Sequence, residues 1–297
     1  MFLYFFIRMK QLSNKIINKL KREVLHTPVV SGLIRHSYYK KIVEYRDKLP
    51  QLNDGDRHIV NTLKKEGVVL TTFNKLSSFT ANKIVDTATR LLSEAIKFEE
   101  NGYSQTILAS TLKKHPDIVR WGLDESLLDI VENYLGLPVY YLGSEVKREL
   151  ANGKSCGVRK WHLDTEDRSM VKIIVYLSDV NRESTPFEYI SRTKTAEIVK
   201  KLRYKSGLVS DETITRHIDS QYWIACMGAK YTIIIADTAN VFHRVKPSQG
   251  SDRLSITYHY TSQYPIHLRS TDFSICTTSR HLYGDLSARQ LNCLFPL

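Results

Sequence analysis

The sequence predicts an α+β chain in which N-terminal helices brace a two-sheet jelly roll. Apolar residues recur at helical spacing through much of residues 57–138. From Val139 onward the pattern changes to short runs rich in β-branched and aromatic residues, with turn residues between them. The chain's 297 residues are enough for one elaborated domain with a substantial core.

Residues 1–7 form an apolar run far shorter than the roughly 20 residues that cross a bilayer, and no small-residue cleavage site follows it. Leu12, Ile16, Leu20 and Val24 then recur every four residues among Lys15, Lys19, Lys21 and Arg22, which predicts an amphipathic basic helix. Such a helix either packs on the domain with its charges in water or rests on an anionic membrane surface through residues 1–25. Met9 offers a second start that would remove the aromatic cluster. Net charge is +12, and residues 1–66 hold 14 Lys/Arg against 6 Asp/Glu, so most of the excess sits at the N-terminal end. A nucleic-acid reader would carry its charge in a groove interleaved with aromatics, so nucleic acid is disfavoured as a partner. Cys156, Cys226, Cys276 and Cys293 are far apart and form no C-x-x-C. That argues against a disulfide framework or a cysteine zinc site and favours a reducing, cytoplasmic setting.

Residues 1–56 thus read as a basic arm and 57–297 as the folded domain: a helical lead-in over 57–138, a strand core over 139–260 and a tail over 261–297. In the lead-in, a helix is expected from 57 to about 65, a strand over 67–73 and a longer helix over 80–98. Asp124 can cap a further helix carrying Leu127, Leu128, Val131 and Leu135, which Gly136 and Pro138 stop. Strands are expected over 139–146, 170–177, 187–190, 231–236 and 254–260. Residues 194–223 interrupt this rhythm with charge and two helical turns, as an insertion over the open end of the strand core would.

His162 and Asp164 open the strand-rich half. On a strand they point to one side while Leu163 faces away, so both can grip one ion. His243 follows an apolar strand and the turn over 237–240, and Arg253 lies ten residues beyond it, two before Ser255. Two histidines and a carboxylate make a set that holds Fe(II) on one face and leaves the other positions open. Among ten histidines, one His-x-Asp alone reads as structural, and Arg253 alone reads equally well as a surface charge. As a set they read as a metal site beside a guanidinium that can grip a carboxylate, with the Ser255 hydroxyl adding a third hydrogen bond.

These residues resemble the Fe(II)- and 2-oxoglutarate-dependent oxygenases, most nearly the phytanoyl-CoA dioxygenase-like branch, over about residues 63–260. KKEGVVL at 64–70 is similar to that branch's entry segment, and LLDIVENYLGLP at 127–138 to the helix leading into its core. IIVYLSDV at 173–180 and TPFEYI at 185–190 are similar to the strand and turn that follow the first ligands. DTANVFHR at 237–244 with RLS at 253–255 is the closest match. The resemblance implies a cupin-like double-stranded β-helix with iron at His162, Asp164 and His243, and the distal carboxylate of 2-oxoglutarate on Arg253 beside Ser255. Thr165 and Lys172 are the candidates for its inner carboxylate, Lys172 also reading as a salt-bridged side chain. With O₂, such a site releases succinate and CO₂ and hydroxylates an unactivated C–H bond of a small-molecule or lipid-like substrate. Asp164 stands where related halogenases carry a small residue, which favours hydroxylation. One departure is SRTK at 191–194, where the family commonly has Pro-Gly-Ser-His. Two alternatives stay open: a cupin-like metal enzyme that does not use 2-oxoglutarate, and a non-catalytic membrane-associated binding module.

Overall fold

The computed structural model describes residues 28–76, 81–94, 98–266 and 284–296. The chain divides into two units, Met1–Lys48 and Leu49–Leu297. The first contains helix α1 (Pro28–Tyr45) and a 3₁₀ turn at Arg46–Lys48. The amphipathic helix expected over 12–24 lies outside the described residues.

The second unit opens with α2 (Asp54–Glu66). It begins three residues before the expected start because Asn53 caps it, its side chain accepting the Asp56 N–H at 2.8 Å. Gly67 ends it at φ +83°, a left-handed conformation that favours glycine. β1 (Val68–Thr72), one-turn α3 (Phe73–Leu76) and α4 (Ala81–Ser93) follow. The helix expected to reach 98 therefore stops earlier, and Phe98 instead begins β2 (Phe98–Glu100), which pairs with β3 (Ser104–Ile107). The Asn101–Gly102 turn makes this hairpin. Asn101 Oδ1 accepts the Ser104 N–H at 2.9 Å, and Gly102 takes φ +81°.

α5 (Ala109–Leu112), α6 (Pro116–Trp121) and α7 (Glu125–Leu135) complete the lead-in. As expected, Asp124 caps α7 and left-handed Gly136 stops it. The strand core comprises β4 (Val139–Glu149), β5 (Val171–Tyr176), β6 (Phe187–Ile190), β7 (Trp223–Cys226), β8 (Thr232–Asp237), β9 (His243–Val245) and β10 (Arg253–Ser262). Between β6 and β7 the insertion forms α8 (Arg192–Leu202) and α9 (Asp211–Thr215). The expected tail carries helix α10 (Ala288–Leu294), opened by a Ser287/Gln290 capping box. Arg289 reaches Glu125, Asp129 and Glu132, one ladder along α7.

Among the described residues two antiparallel sheets result, one of seven strands in the order β1-β8-β5-β10-β4-β3-β2 and one of three in the order β7-β6-β9. Alternation sorts the side chains of the large sheet. Val171, Ile173, Val175, Ile233, Ile235, Ile256 and Tyr258 join the helices in the main core. Their neighbours Ile174, Tyr176, Ile234 and Ala236 pack against Phe187, Tyr189 and Cys226 of the small sheet. Helices thus cover one face and the small sheet the other, a mixed architecture consistent with a jelly-roll core. Among the described residues, no helix is long and apolar enough to cross a membrane.

Candidate metal centre

His162 and His243 meet across an isolated antiparallel bridge beside β9. The backbone N–H of Asp164 donates to Thr238 O at 3.0 Å, so the His-x-Asp segment is tied to both ends of the turn leading to His243. One ligand atom from each of His162, Asp164 and His243 lies within 4.8 Å of the others. Asp164 Oδ1 is 4.0 Å from His162 Nε2, and its Oδ2 is 3.8 Å from His243 Nε2. The two rings lie 4.3 Å apart, centroid to centroid.

The backbone also orients the imidazoles. His162 Nδ1 lies 2.9 Å from Lys160 O, and His243 Nδ1 lies 3.1 Å from Val241 O. In each ring the carbonyl engages Nδ1–H, which leaves the Nε2 lone pair directed at the shared point. Burial pushes His243 well below the ordinary histidine value, and neighbouring His162 adds to this. Burial alone would raise Asp164, but Lys172 and then the two histidines hold its carboxyl far below the usual range. Neutral imidazoles and an ionised carboxylate are the protonation states a divalent cation requires.

Lys172 lies with its Nζ 2.6 Å from Asp164 Oδ2. This realises the salt-bridged reading and puts a cation beside the ligand set. Thr165 follows Asp164, with its N–H on Glu166 Oε2 at 2.9 Å. Arg253 and Ser255 start β10 and are both buried. Arg253 faces the Tyr176 ring at 5.9 Å. The Tyr176 hydroxyl accepts the Phe187 N–H at 3.3 Å, and the Phe187 ring stacks on His243 at 5.5 Å. Glu149 Oε1 comes within 3.9 Å of one Arg253 nitrogen, while Nε and Nη1 have no hydrogen-bond partner among the described residues. A buried guanidinium with two idle donors is costly, and it fits a carboxylate-bearing ligand.

The insertion packs on the residues that flank the candidate ligands. Trp161 and Phe242, each next to a candidate ligand histidine, join Ile190, Ile198, Ile214 and Ile218 in a separate cluster, with Leu163 packed on it. Apolar residues of 194–223 therefore lie against Trp161, Leu163 and Phe242. Alternation decides this, since Trp161 and Leu163 must point away from His162 and Asp164. Arg244 faces the same way. Its guanidinium lies 4.4 Å from Trp161 and 4.9 Å from Trp223, and its Nε donates to Glu188 at 2.6 Å.

Sequence reading missed a second support. Buried Asp237 accepts hydrogen bonds from Tyr134, Arg192 (2.8 Å) and Asn240 (2.8 Å), and from the Met170 N–H at 3.1 Å. Arg192 belongs to the SRTK departure, so the altered segment still serves the turn that delivers His243. An aspartate opening a turn gives no sign that its partners lie 45 and 103 residues away.

No family model matches the chain, and no curated protein matches it. Solved structures do. EctD from S. alaskensis with 2-oxoglutarate and 5-hydroxyectoine is similar at 16% identity and TM-score 0.51, covering 75% of this chain and 84% of that one. The non-heme alpha ketoglutarate dependent carbocyclase SnoK from nogalamycin biosynthesis is similar at 14% identity and TM-score 0.51, covering 80% and 92%. At such identities the likeness is one of fold: this chain has the fold on which EctD and SnoK are built.

Proposed function

We propose that this chain is an Fe(II)- and 2-oxoglutarate-dependent oxygenase acting on a small molecule. The observation that carries the reading is the convergence of His162, Asp164 and His243, with both Nε2 atoms aimed at the point they share. The idle donors of Arg253 and the shared fold with EctD and SnoK support it. The reading extends to a double-stranded β-helix of the phytanoyl-CoA dioxygenase-like branch and to hydroxylation of an unactivated C–H bond.

His162, Asp164 and His243 would hold Fe(II) through their two Nε2 atoms and a carboxylate oxygen. Arg253 grips the distal carboxylate of 2-oxoglutarate through a two-donor contact, with the Ser255 hydroxyl beside it. Lys172, already at the Asp164 carboxylate, meets the inner carboxylate, with Thr165 as the alternative donor. Bound iron supplies the coupling of O₂ activation to oxidative decarboxylation of 2-oxoglutarate, giving succinate and CO₂. The packed sheets exclude water and fix the position of the C–H bond to be attacked.

Anaerobic titration of the full chain with Fe(II) and 2-oxoglutarate tests this. A weak visible charge-transfer band is expected, absent in His162→Ala and weakened in Arg253→Ala. Succinate should form on admitting oxygen, even without the true substrate. A wild-type chain that binds Fe(II) but develops no band with 2-oxoglutarate would remove the co-substrate from the reading.

A further inference from the structure

β4 carries Glu145, Lys147 and Glu149 on alternate positions, between Val146 of the main core and Arg148. In register, Glu145 lies opposite Thr257 and Lys147 opposite Ser255, and these two lie opposite Ile174 and Tyr176 of β5. Ile174 and Tyr176 face the small sheet, so Glu145 and Lys147 point to that side too, away from the helices. Glu145 and Lys147 are paired at 2.7 Å, and His259 Nε2 is 3.3 Å from Glu145 Oε2. His259 is the cross-strand neighbour of Lys172, which touches Asp164. An unbroken row of ionisable groups therefore runs from the metal ligand to Lys147.

This row has no structural need. An ion pair between two side chains on the inner face of one strand of a packed sheet can cost more desolvation than it regains, and apolar side chains would fill the same face. Nothing in the proposed chemistry uses His259, Glu145 or Lys147. The pair also stays open: side-chain exposure is 21% for Glu145 and 26% for Lys147, although protein surrounds both. Accessible ionic groups lining an enclosed face, continuous with a metal site, are the polar contacts of a ligand pocket. The charges are balanced. Lys172 answers Asp164 and the inner carboxylate of the co-substrate, Lys147 answers Glu145, and Arg253 is left for the distal carboxylate.

We propose that Glu145, Lys147 and His259 form the substrate-recognition wall, and that the substrate is a small zwitterion whose cationic group pairs with Glu145 and whose anionic group pairs with Lys147. This deepens the oxygenase reading and rests on it for the reaction, but not for the binding. It sets the lipid-like substrate aside, because an acyl chain against this row would strand two charges.

Calorimetric titration of the metal-free full chain with L-proline and L-glutamine, against octanoate and methyl glucoside, tests the wall independently of the iron chemistry. Saturable binding of at least one zwitterion is expected, with no heat from octanoate or methyl glucoside. Glu145→Gln and Lys147→Met should each weaken it tenfold or more. The double variant Glu145→Gln, Lys147→Gln leaves neither charge unpaired, so it stays folded while losing the binding. Binding by octanoate alone, no binding by either zwitterion, or wild-type affinity in a folded double variant would each overturn the proposal. The Fe(II)/2-oxoglutarate band, read separately in wild type, shows whether the oxygenase reading stands or falls on its own.

Discussion

His162 and His243, 81 positions apart in the chain, are joined by two reciprocal backbone hydrogen bonds, each N–H donating to the other's carbonyl at 3.1 Å. The two imidazoles therefore inherit their spacing from a β-bridge and not from side-chain packing alone. Removing either ring should leave that backbone bond in place while deleting a donor. His162→Ala or His243→Ala is expected to lower Mn(II) affinity at least ~100-fold, since even outer-shell partners are worth 10–100-fold. Mn(II) titration followed by electron paramagnetic resonance, with a thermal melt of the metal-free variant, separates lost ligation from lost folding.

Arg253 and Ser255 should act on the co-substrate and spare the metal. Arg253→Lys keeps the charge but loses the two-donor fork, so 2-oxoglutarate affinity should fall roughly tenfold or more. Ser255→Ala should cost about 1 kcal/mol, the usual worth of one hydrogen bond. Mn(II) affinity measured without 2-oxoglutarate should match wild type in both. An equal fall in metal affinity would mean that the two side chains hold the fold of the site instead.

Arg192 is the cation that answers fully buried Asp237. Arg192→Met should destabilise the chain by about 2 kcal/mol, below the range for a fully buried pair because the arginine is part-exposed. It should also weaken metal binding, because Asp237 holds the turn before His243. Urea unfolding and Mn(II) titration read the two effects, and unchanged metal affinity would confine Arg192 to stability.

Ile173 is fully buried on the helix-facing side of β5. Ile173→Ala should cost about 2–5 kcal/mol as a large-to-small core change. Because the cavity lies on the face away from the ligands, 2-oxoglutarate affinity of the remaining folded protein should not move. Urea unfolding and a binding titration at low temperature measure these separately.

Burial holds His259 below the ordinary histidine value of 6.5, against the opposing pull of Glu145. The folded chain's ring therefore takes up its proton at lower pH than the unfolded chain's. Stability present at higher pH is therefore lost on acidification. In His259→Gln, the fall in stability between pH 6.5 and 5 should be shallower by up to about 1.4 kcal/mol per pH unit. Identical slopes in the two proteins would show that the ring titrates alike folded and unfolded.

The sequence by itself determined what local physics writes into neighbouring residues. Asp124 and Gly136 mark the ends of α7, runs of β-branched and aromatic residues mark β5, β8 and β10, and the two-residue spacing of His162 and Asp164 lets an extended segment present both to one side. Arg253 and Ser255 were legible only as members of a set. Tertiary structure alone decided what depends on groups remote along the chain. Phe98 sits in a strand, not at a helix end, because the hairpin it forms with Ser104–Ile107 extends the sheet beyond β4. Lys172 faces Asp164, Arg192 reaches Asp237, and apolar residues of the insertion pack on Trp161 and Phe242. Glu145 and Lys147 look like solvated charges when read alone, and only sheet pairing puts them on the face that carries His259 and Lys172. Periodicity records which side of an element a residue faces, whereas what waits on that side is settled when the chain closes on itself.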